Sequence, residues 1–461
     1  MYSRITSTLV VSVLLVFVSQ AWAQWVEDSV SVGGPSVQSL VYNPRSDVVY
    51  GTRWSLHDVG LFAVSCDSNR VVAQTQLRYA GFLAYDSTDN KVYCTFAYCE
   101  SLLVVDGTTH ERIRAVPLPG ANNIIWDAVA DRVYVSCGYE SHVAVIDCAT
   151  DSVIALVPTG EDAHRMDINT AHRKLYVRDW DGEALSIIDL ERLELIRTIP
   201  LSGVPTAGCY SAAADKYYCT AWGELYVLDG ATDSILRREQ LSSYVSVLQS
   251  VESHALILAA SYRAASVETL YVLDAYSGAL SNTLLVGGSP YSIAWSPSSD
   301  LVYVANGSSD DITVIASDGS AVLRTLAVGD APYSLALVPP HDRLYVGHLN
   351  GPYVYVVKDR AGGVVDRERA WPPCAGILRA QPNPFSHVTR IRDPRGAGLA
   401  SSLRVYCPLG RQVRRLTPGA AGAPWVDWDG RDDSGRPVPA GVYVVADDEG
   451  RCSRTAIVKM D

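Results

Sequence analysis

Nine histidines and ten cysteines are the residues of this 461-residue chain whose types invite chemistry. Their spacing argues against most of it. His110, His142, His172, His254 and His341 fall between apolar runs, in segments that read as solvated turns. No Gly-x-Ser-x-Gly nucleophile elbow, His-Glu-x-x-His helix or glycine-rich phosphate loop occurs. The cysteines make no C-x-x-C pair and no His/Cys cluster at zinc spacing, so neither a metal ion nor a cofactor is expected. "DGRDDSGR" (Asp429–Arg436) has close-set carboxylates but lacks the alternating oxygen ligands and closing glutamate of a calcium loop. It reads as a tight hairpin turn. A second hairpin, turning at Ala213 and Ala214, sets Cys209 and Cys219 opposite each other on one face. The two either form a local disulfide or pack as buried free thiols.

The frame that positions these residues is repeated. "SPYSIAWSPSSDLVYVANGSSDDITVI" (289–315) returns as "APYSLALVPPHDRLYVGHLNGPYVYVV" (331–357). Anchored on the tyrosine of "LVYVAN", the pattern recurs at Tyr50, Tyr93, Tyr134, Tyr176, Tyr218, a degenerate Ile257, Tyr303 and Tyr345. The anchors advance by about 42 residues per step, which makes eight units. Each unit holds a short apolar strand, the tyrosine strand, a third strand ending in Asp ("SLLVVD", "HVAVID", "ELYVLD") and a fourth such as "SVIALVPT". Four strands per repeat of this length is the grammar of a β-propeller blade, because one sheet has two apolar faces and must stack on its neighbours to cover them. Composition agrees. Tyrosine (26) is abundant while methionine (3) and phenylalanine (5) are scarce, a balance that favours strands. The net charge of −12 lacks the basic footprint that nucleic acid requires.

Twelve residues before each anchor lies one position per unit at the mouth of the central channel: Gln38, Gly81, Asn122, His164, Thr206, Val245, Tyr291 and Tyr333. The residue type changes there while the positions that follow stay apolar. Variation inside a repeated frame marks where a protein or glycan ligand would be read; the alternative is a rim filled with whatever tolerates solvent.

The ends complete the organisation. Arg4, the apolar run Leu9–Val18 and the small-x-small site Ala21–Ala23 make residues 1–23 a secretory signal peptide, with a retained anchor as the alternative. No other segment approaches the ~20 apolar residues of a membrane helix, so no span is expected after cleavage. Residues 24–372 carry the propeller. Either "WVEDSVSV" (Trp25–Val32) or "VVDRERAW" (Val364–Trp371) supplies the strand that closes its ring. A short linker (373–377) leads to 378–461, where brief strands between Gly/Pro turns read as a small β-sandwich.

"VYVANGSSDDITVIASDGSAVLRTLAVGDAPYSLAL" resembles the YVTN-type β-propeller repeat, a resemblance that covers residues 25–372 and implies a secreted or surface propeller, often of seven blades rather than eight. In the tail, "PNPF", "VYCPLGRQVRRL" and "WDGRDDSGRPVPAGVY" occur in the order seen in the C-terminal sorting domain of type IX secretion substrates. They are equally similar to the immunoglobulin-like domain of flagellar hook-capping proteins. That resemblance implies that 378–461 is read by the outer-membrane secretion machinery; Cys407-Pro408 departs from its usual polar pair. "YVLDAYSGAL" (Tyr271–Leu280) is similar to the docking repeat of eight-bladed quinoprotein dehydrogenases but lacks the tryptophan that should follow its glycine. The expectation is an all-β protein: an exported, non-enzymatic binding or scaffold propeller followed by a sorting domain. A quinoprotein-like or lactonase-like enzyme is the alternative.

Overall fold

A computed structural model describes residues 24–359, apart from 56–58, 97–99, 242–243 and 263–265, and discontinuous segments between 376 and 459. Residues 1–23, which the sequence reads as a signal peptide, the linker's start and "VVDRERAW" lie outside the described residues.

Eight four-stranded antiparallel sheets follow one another as blades. Blades 1 to 7 are each continuous in sequence, starting at Val37, Ala80, Ala121, Ala163, Pro205, Val245 and Pro290. Blade 8 takes three strands from 332–358 and its outermost from the N-terminus. Val26–Ser31 pairs antiparallel with Tyr353–Lys358, Val30 lying opposite Val354. Arg343 of blade 8 holds Glu27 through two nitrogens, at 2.7 and 2.9 Å. Of the two sequence candidates for closure, Trp25–Val32 therefore occupies the place.

The strand pattern follows from burial. The second and third strands of each blade are covered on both faces and run almost wholly apolar, as in "KVYCTF" and "SLLVVD". The outermost strands alternate, as in "RVVAQTQ" (Arg70–Gln76), because one face meets water. Cores form between blades, not within them. Val104 and Val116 of blade 2, for example, share a cluster with Val133 and Val135 of blade 3. The aspartates that end the third strands cap the next turn. Asp106 Oδ1 accepts the amides of Thr108 and Thr109, and Asp229 Oδ1 that of Thr232.

The repeated tyrosine has a specific task. Its ring is buried and, except at Tyr134, its hydroxyl reaches across to the turn between the third and fourth strands of the next blade, or to the equivalent point in blade 8. Tyr93 donates to Asp151 (2.7 Å), Tyr176 to Asp233 (2.8 Å) and Tyr345 to Asn69 (2.7 Å). Tyr50, Tyr218 and Tyr303 make the same reach to His110, Ala275 and Asp359. This end of the ring is the stapled face.

Four of the turn histidines belong to it and are not simply solvated; His142 instead opens a third strand at the other end of the ring. His172, His254 and His341 each point Nε2 at an aspartate in the first turn of the following blade: Asp215 (2.8 Å), Asp300 (3.4 Å) and Asp47 (2.8 Å). Sequence spacing placed them in turns but could not show that consecutive turns touch.

The described strands after 375 form a five-stranded and a three-stranded sheet. Trp428 is buried with Phe385 and Tyr443 at ring distances of 5.3 and 5.1 Å. Asp432 Oδ1 collects the amides of Ser434 and Arg436, the hairpin turn expected of "DGRDDSGR". Among the described residues no helix is long and apolar enough to cross a membrane.

The cysteine pair is a correction. The hairpin register sets Cys209 opposite Tyr218 and Gly208 opposite Cys219. Neighbouring positions on a strand face opposite ways, so Cys209 packs towards blade 6 and Cys219 towards blade 4. Both are free thiols.

Candidate binding face

The innermost strand of every blade carries a β-bulge one residue after its start. Pairing skips between Val37 and Ser39, Ala163 and Arg165, Pro205 and Ala207, Pro290 and Ser292, and Pro332 and Ser334. In blades 2 and 3 the skip spans two residues, Gly81–Phe82 and Asn122–Asn123. The bulged residues are the ring read from the sequence: Gln38, Gly81, Asn122, His164, Thr206, Tyr291 and Tyr333. In blade 6 the bulged residue is Ser246, and Val245 is a buried paired residue. The error has a simple source. Leu258, not Ile257, occupies the tyrosine position of that blade, since it pairs with Gln249 as Tyr303 pairs with Ala294.

A bulge leaves one residue outside the ladder and turns its side chain away from the sheet. It also frees a carbonyl. In blades 2 to 4 that carbonyl is taken by a hydroxyl on the second strand of the preceding blade. Thr52 donates to Gly81, Thr95 to Asn122 (2.7 Å) and Ser136 to His164 (2.8 Å). Arg178 then donates to the Thr206 carbonyl at 3.3 Å. The bulge backbone is thus fixed while its side chains face the channel mouth.

Around half the ring they border a cleft of about 200 Å³, lined by Gly81, Asn122 and His164 together with Trp54, Phe82, Tyr139 and Asp162. The His164 ring stands edge-on to Trp180, centroids 4.4 Å apart. Burial, with Arg165 and Arg178 close by, pushes its pKa down to about 3, so it is a neutral imidazole at physiological pH. Burial also raises Asp162, assisted by Asp181.

The other half is a ladder of phenols. Centroids of Tyr244 and Tyr262 lie 6.3 Å apart, those of Tyr262 and Tyr291 6.1 Å, and those of Tyr291 and Tyr333 5.2 Å. Gly307 makes room for it: a Cβ there would sit 2.3 Å from the Tyr291 ring. Arg165 joins the halves, its guanidinium 4.4 Å from the Phe82 centroid and beside the Tyr333 hydroxyl. Deeper in, Asp167 takes a hydrogen bond from Tyr217 (2.9 Å) and pairs with Arg178 (3.4 Å).

The loops framing the mouth add exposed aromatics, which the sequence ring did not include: Trp54, Tyr139, Trp180, Trp222 and Tyr244. Tyr139 is 83% and Trp222 66% exposed. Trp54, Trp180, Trp222 and Tyr262 all directly follow the second strand of their blades, at the bulged end. Reading one more position per repeat, just past "YGTR", "YVRD" and "YCTA", would have found them.

No family model matches the chain, and no curated protein matches it in sequence. Solved structures do. The computationally designed Ika8 protein is similar with a TM-score of 0.60 at 13% identity, over 72% of this chain and 99% of its own. A chain of the Kuenenia stuttgartiensis hydrazine synthase is similar at 0.50 and 15% identity, over 63% and 98%. At such identity the likeness shows the propeller fold alone.

Proposed function

We propose that this protein is an exported, non-enzymatic binding propeller that reads a protein or glycan ligand on its bulged face. The observation that carries the reading is the ring of eight bulges, whose backbone repeats while the residue type varies from Gln38 and Asn122 to His164 and Tyr333, beside a cleft and a ladder of aromatic residues. Aromatic side chains supply most of the energy when a partner buries them. The acidic overall charge disfavours nucleic acid as that partner. His164 sits too far below neutral to serve as a useful base, which favours binding over catalysis. On this reading the signal peptide exports the chain. Residues 378–461 then act as an immunoglobulin-like sorting domain engaged by the outer-membrane secretion machinery, as the ordered tail motifs suggest.

The test is a glycan-array and surface-protein screen with the mature chain, repeated with His164, Tyr291 and Tyr333 all replaced by alanine. The expected result is a ligand bound by the wild type and lost by the variant, with the Tm little changed. Undiminished binding by the triple variant would move the ligand off this face. For the tail, removing 378–461 should leave the propeller in the periplasm, and grafting the segment onto an unrelated periplasmic protein should carry it to the surface of a type IX-competent host. A truncated chain that still reaches the surface would overturn the sorting role.

A further inference from the structure

Each blade interface on the stapled face repeats three positions. They are the last residue of one blade's innermost strand, a residue near φ +50° in the next blade's first turn, and the residue opening that blade's turn between third and fourth strands. Most interfaces satisfy the three with donors matched to acceptors. At blades 1 and 2, Asn43 donates to Asn90 (3.0 Å) and to the Gly107 carbonyl (3.2 Å). At blades 3 and 4, Asp127 meets the Arg173 fork at 2.9 and 2.6 Å. At blades 4 and 5, Asn169 donates to the Gly230 carbonyl at 3.0 Å. At blades 7 and 8, Ser296 donates to Asp359.

Blades 2 and 3 break the rule. Their three residues are Asp86, Asp131 and Cys148, with ligand atoms all within 4.8 Å of one another. Asp86 is fully buried. Its Oδ1 accepts the amides of Thr88 and Asp89, while its buried Oδ2 has no hydrogen-bond partner. Cys148 is a buried free thiol. Among the described residues the Asp131 carboxylate receives one long bond, from Trp126 Nε1 at 3.4 Å. The nearby cation, Lys91, is committed to the Cys148 carbonyl (2.6 Å) and to Asp151 (3.0 Å). Two carboxylates and a thiol thus converge from two blades at the place where other interfaces put a donor. Asp86 is buried and Asp131 half-buried, and like charges set together without a counter-charge are costly.

We propose that Asp86, Asp131 and Cys148 hold one divalent transition-metal ion of the zinc class, clamping blade 2 to blade 3. Two oxygens and one sulfur suit Zn²⁺ with a water in the fourth position, whereas Mg²⁺ and Ca²⁺ select all-oxygen shells of higher number. On binding, the Cys148 thiol releases its proton to solvent and the sulfur donates as thiolate. Asp86 of blade 2 lies 45 residues before Asp131, and Asp131 17 residues before Cys148, both of blade 3, so no sequence motif announces them. The clamp is independent of any ligand at the bulged face.

The test strips the full-length mature chain with a chelator, then titrates it with Zn²⁺ or Co²⁺. One equivalent of Zn²⁺ should remain bound after desalting and raise the Tm by at least ~2 °C, an effect that Mg²⁺ and Ca²⁺ do not reproduce. The Co²⁺ form should show a thiolate-to-cobalt charge-transfer band that Cys148→Ser abolishes. Asp131→Asn keeps the turn, since asparagine tolerates φ near +50°, and should weaken Zn²⁺ binding at least about tenfold. Three results would overturn the site: no stoichiometric uptake, a cobalt band that survives Cys148→Ser, or an Asp86→Asn variant more stable than the Zn²⁺-loaded wild type. The last would mean that a proton shared by the two carboxylates occupies the place.

Discussion

The two ends of the ring are built from the same strands under opposite rules. On the stapled face the side chain at a given repeat position does the same thing in most blades: in six of the eight a tyrosine crosses to the next turn, and an aspartate caps a loop. On the bulged face the backbone repeats and the side chains do not. Gln38, His164 and Tyr333 share a backbone geometry and nothing else. Where side chains hold blades together, their identity is constrained by the neighbour. Where the backbone does that work, through hydroxyls bonded to bulge carbonyls, the side chains are released for another use.

The largest effect should come from opening the ring. Deleting Trp25–Val32 removes the outer strand of blade 8, the Glu27–Arg343 pair and the buried Val30 and Val32. It leaves Tyr353–Lys358 as an unpaired edge. Aggregation on size exclusion and loss of a cooperative melt are expected; a monomer with unchanged Tm would show that the ring closes without it.

Asp179→Asn should come next and has the opposite sign. This buried aspartate, at the bulged end of blade 4, has one carboxylate oxygen bonded to Ser186 (2.6 Å) and the other with no partner; burial pushes its pKa up to about 6. Its folded pKa lies above the unfolded value, so the wild type loses stability as pH rises from about 4 to about 6. The asparagine variant should be more stable at pH 7, by up to about 3 kcal/mol, with the gain fading towards pH 4. A gain independent of pH would point away from charge burial.

Removing a staple should cost less. Tyr303→Phe leaves the buried Asp359 without that donor and should destabilise by about 1–3 kcal/mol in denaturant melts. Smallest of all should be Tyr139→Ala and Trp222→Ala on the bulged face, within about 0.5 kcal/mol of wild type. If the staple and rim variants cost the same, the contrast between the two faces fails.

The degree to which the fold could be read from sequence follows the same contrast. The blade count and the four-strand grammar came from residues that pack or staple, and these must recur. Seven of eight rim positions came with them, because the bulge stands at a fixed distance from the tyrosine. The eighth slipped by one where Leu258 replaces that tyrosine and an adjacent isoleucine mimics it. The Cys209–Cys219 pairing failed on the same one-residue margin, since a strand register shifted by one exchanges the faces. The exposed tryptophans were within reach one position past the second strand of the repeat, but the histidine–aspartate contacts and the Asp86–Asp131–Cys148 cluster were not legible. They join separate blades, and repetition along a chain says nothing of which odd residues meet between copies.

Closure through the first strand also sets a clock. Glu27 and Arg343 are 316 residues apart, so the opening segment of the ring emerges from ribosome or translocon long before its partner exists. Blades 1 to 7 can assemble in order as they appear, each on the one before. The strand Val26–Ser31 must meanwhile wait unpaired, and the last blade cannot be completed until Lys358 has emerged. Such a late, distant pairing is slow and aggregation-exposed. A chain released early would carry an unpaired strand at each end of the ring, which gives a chaperone a defined segment to hold.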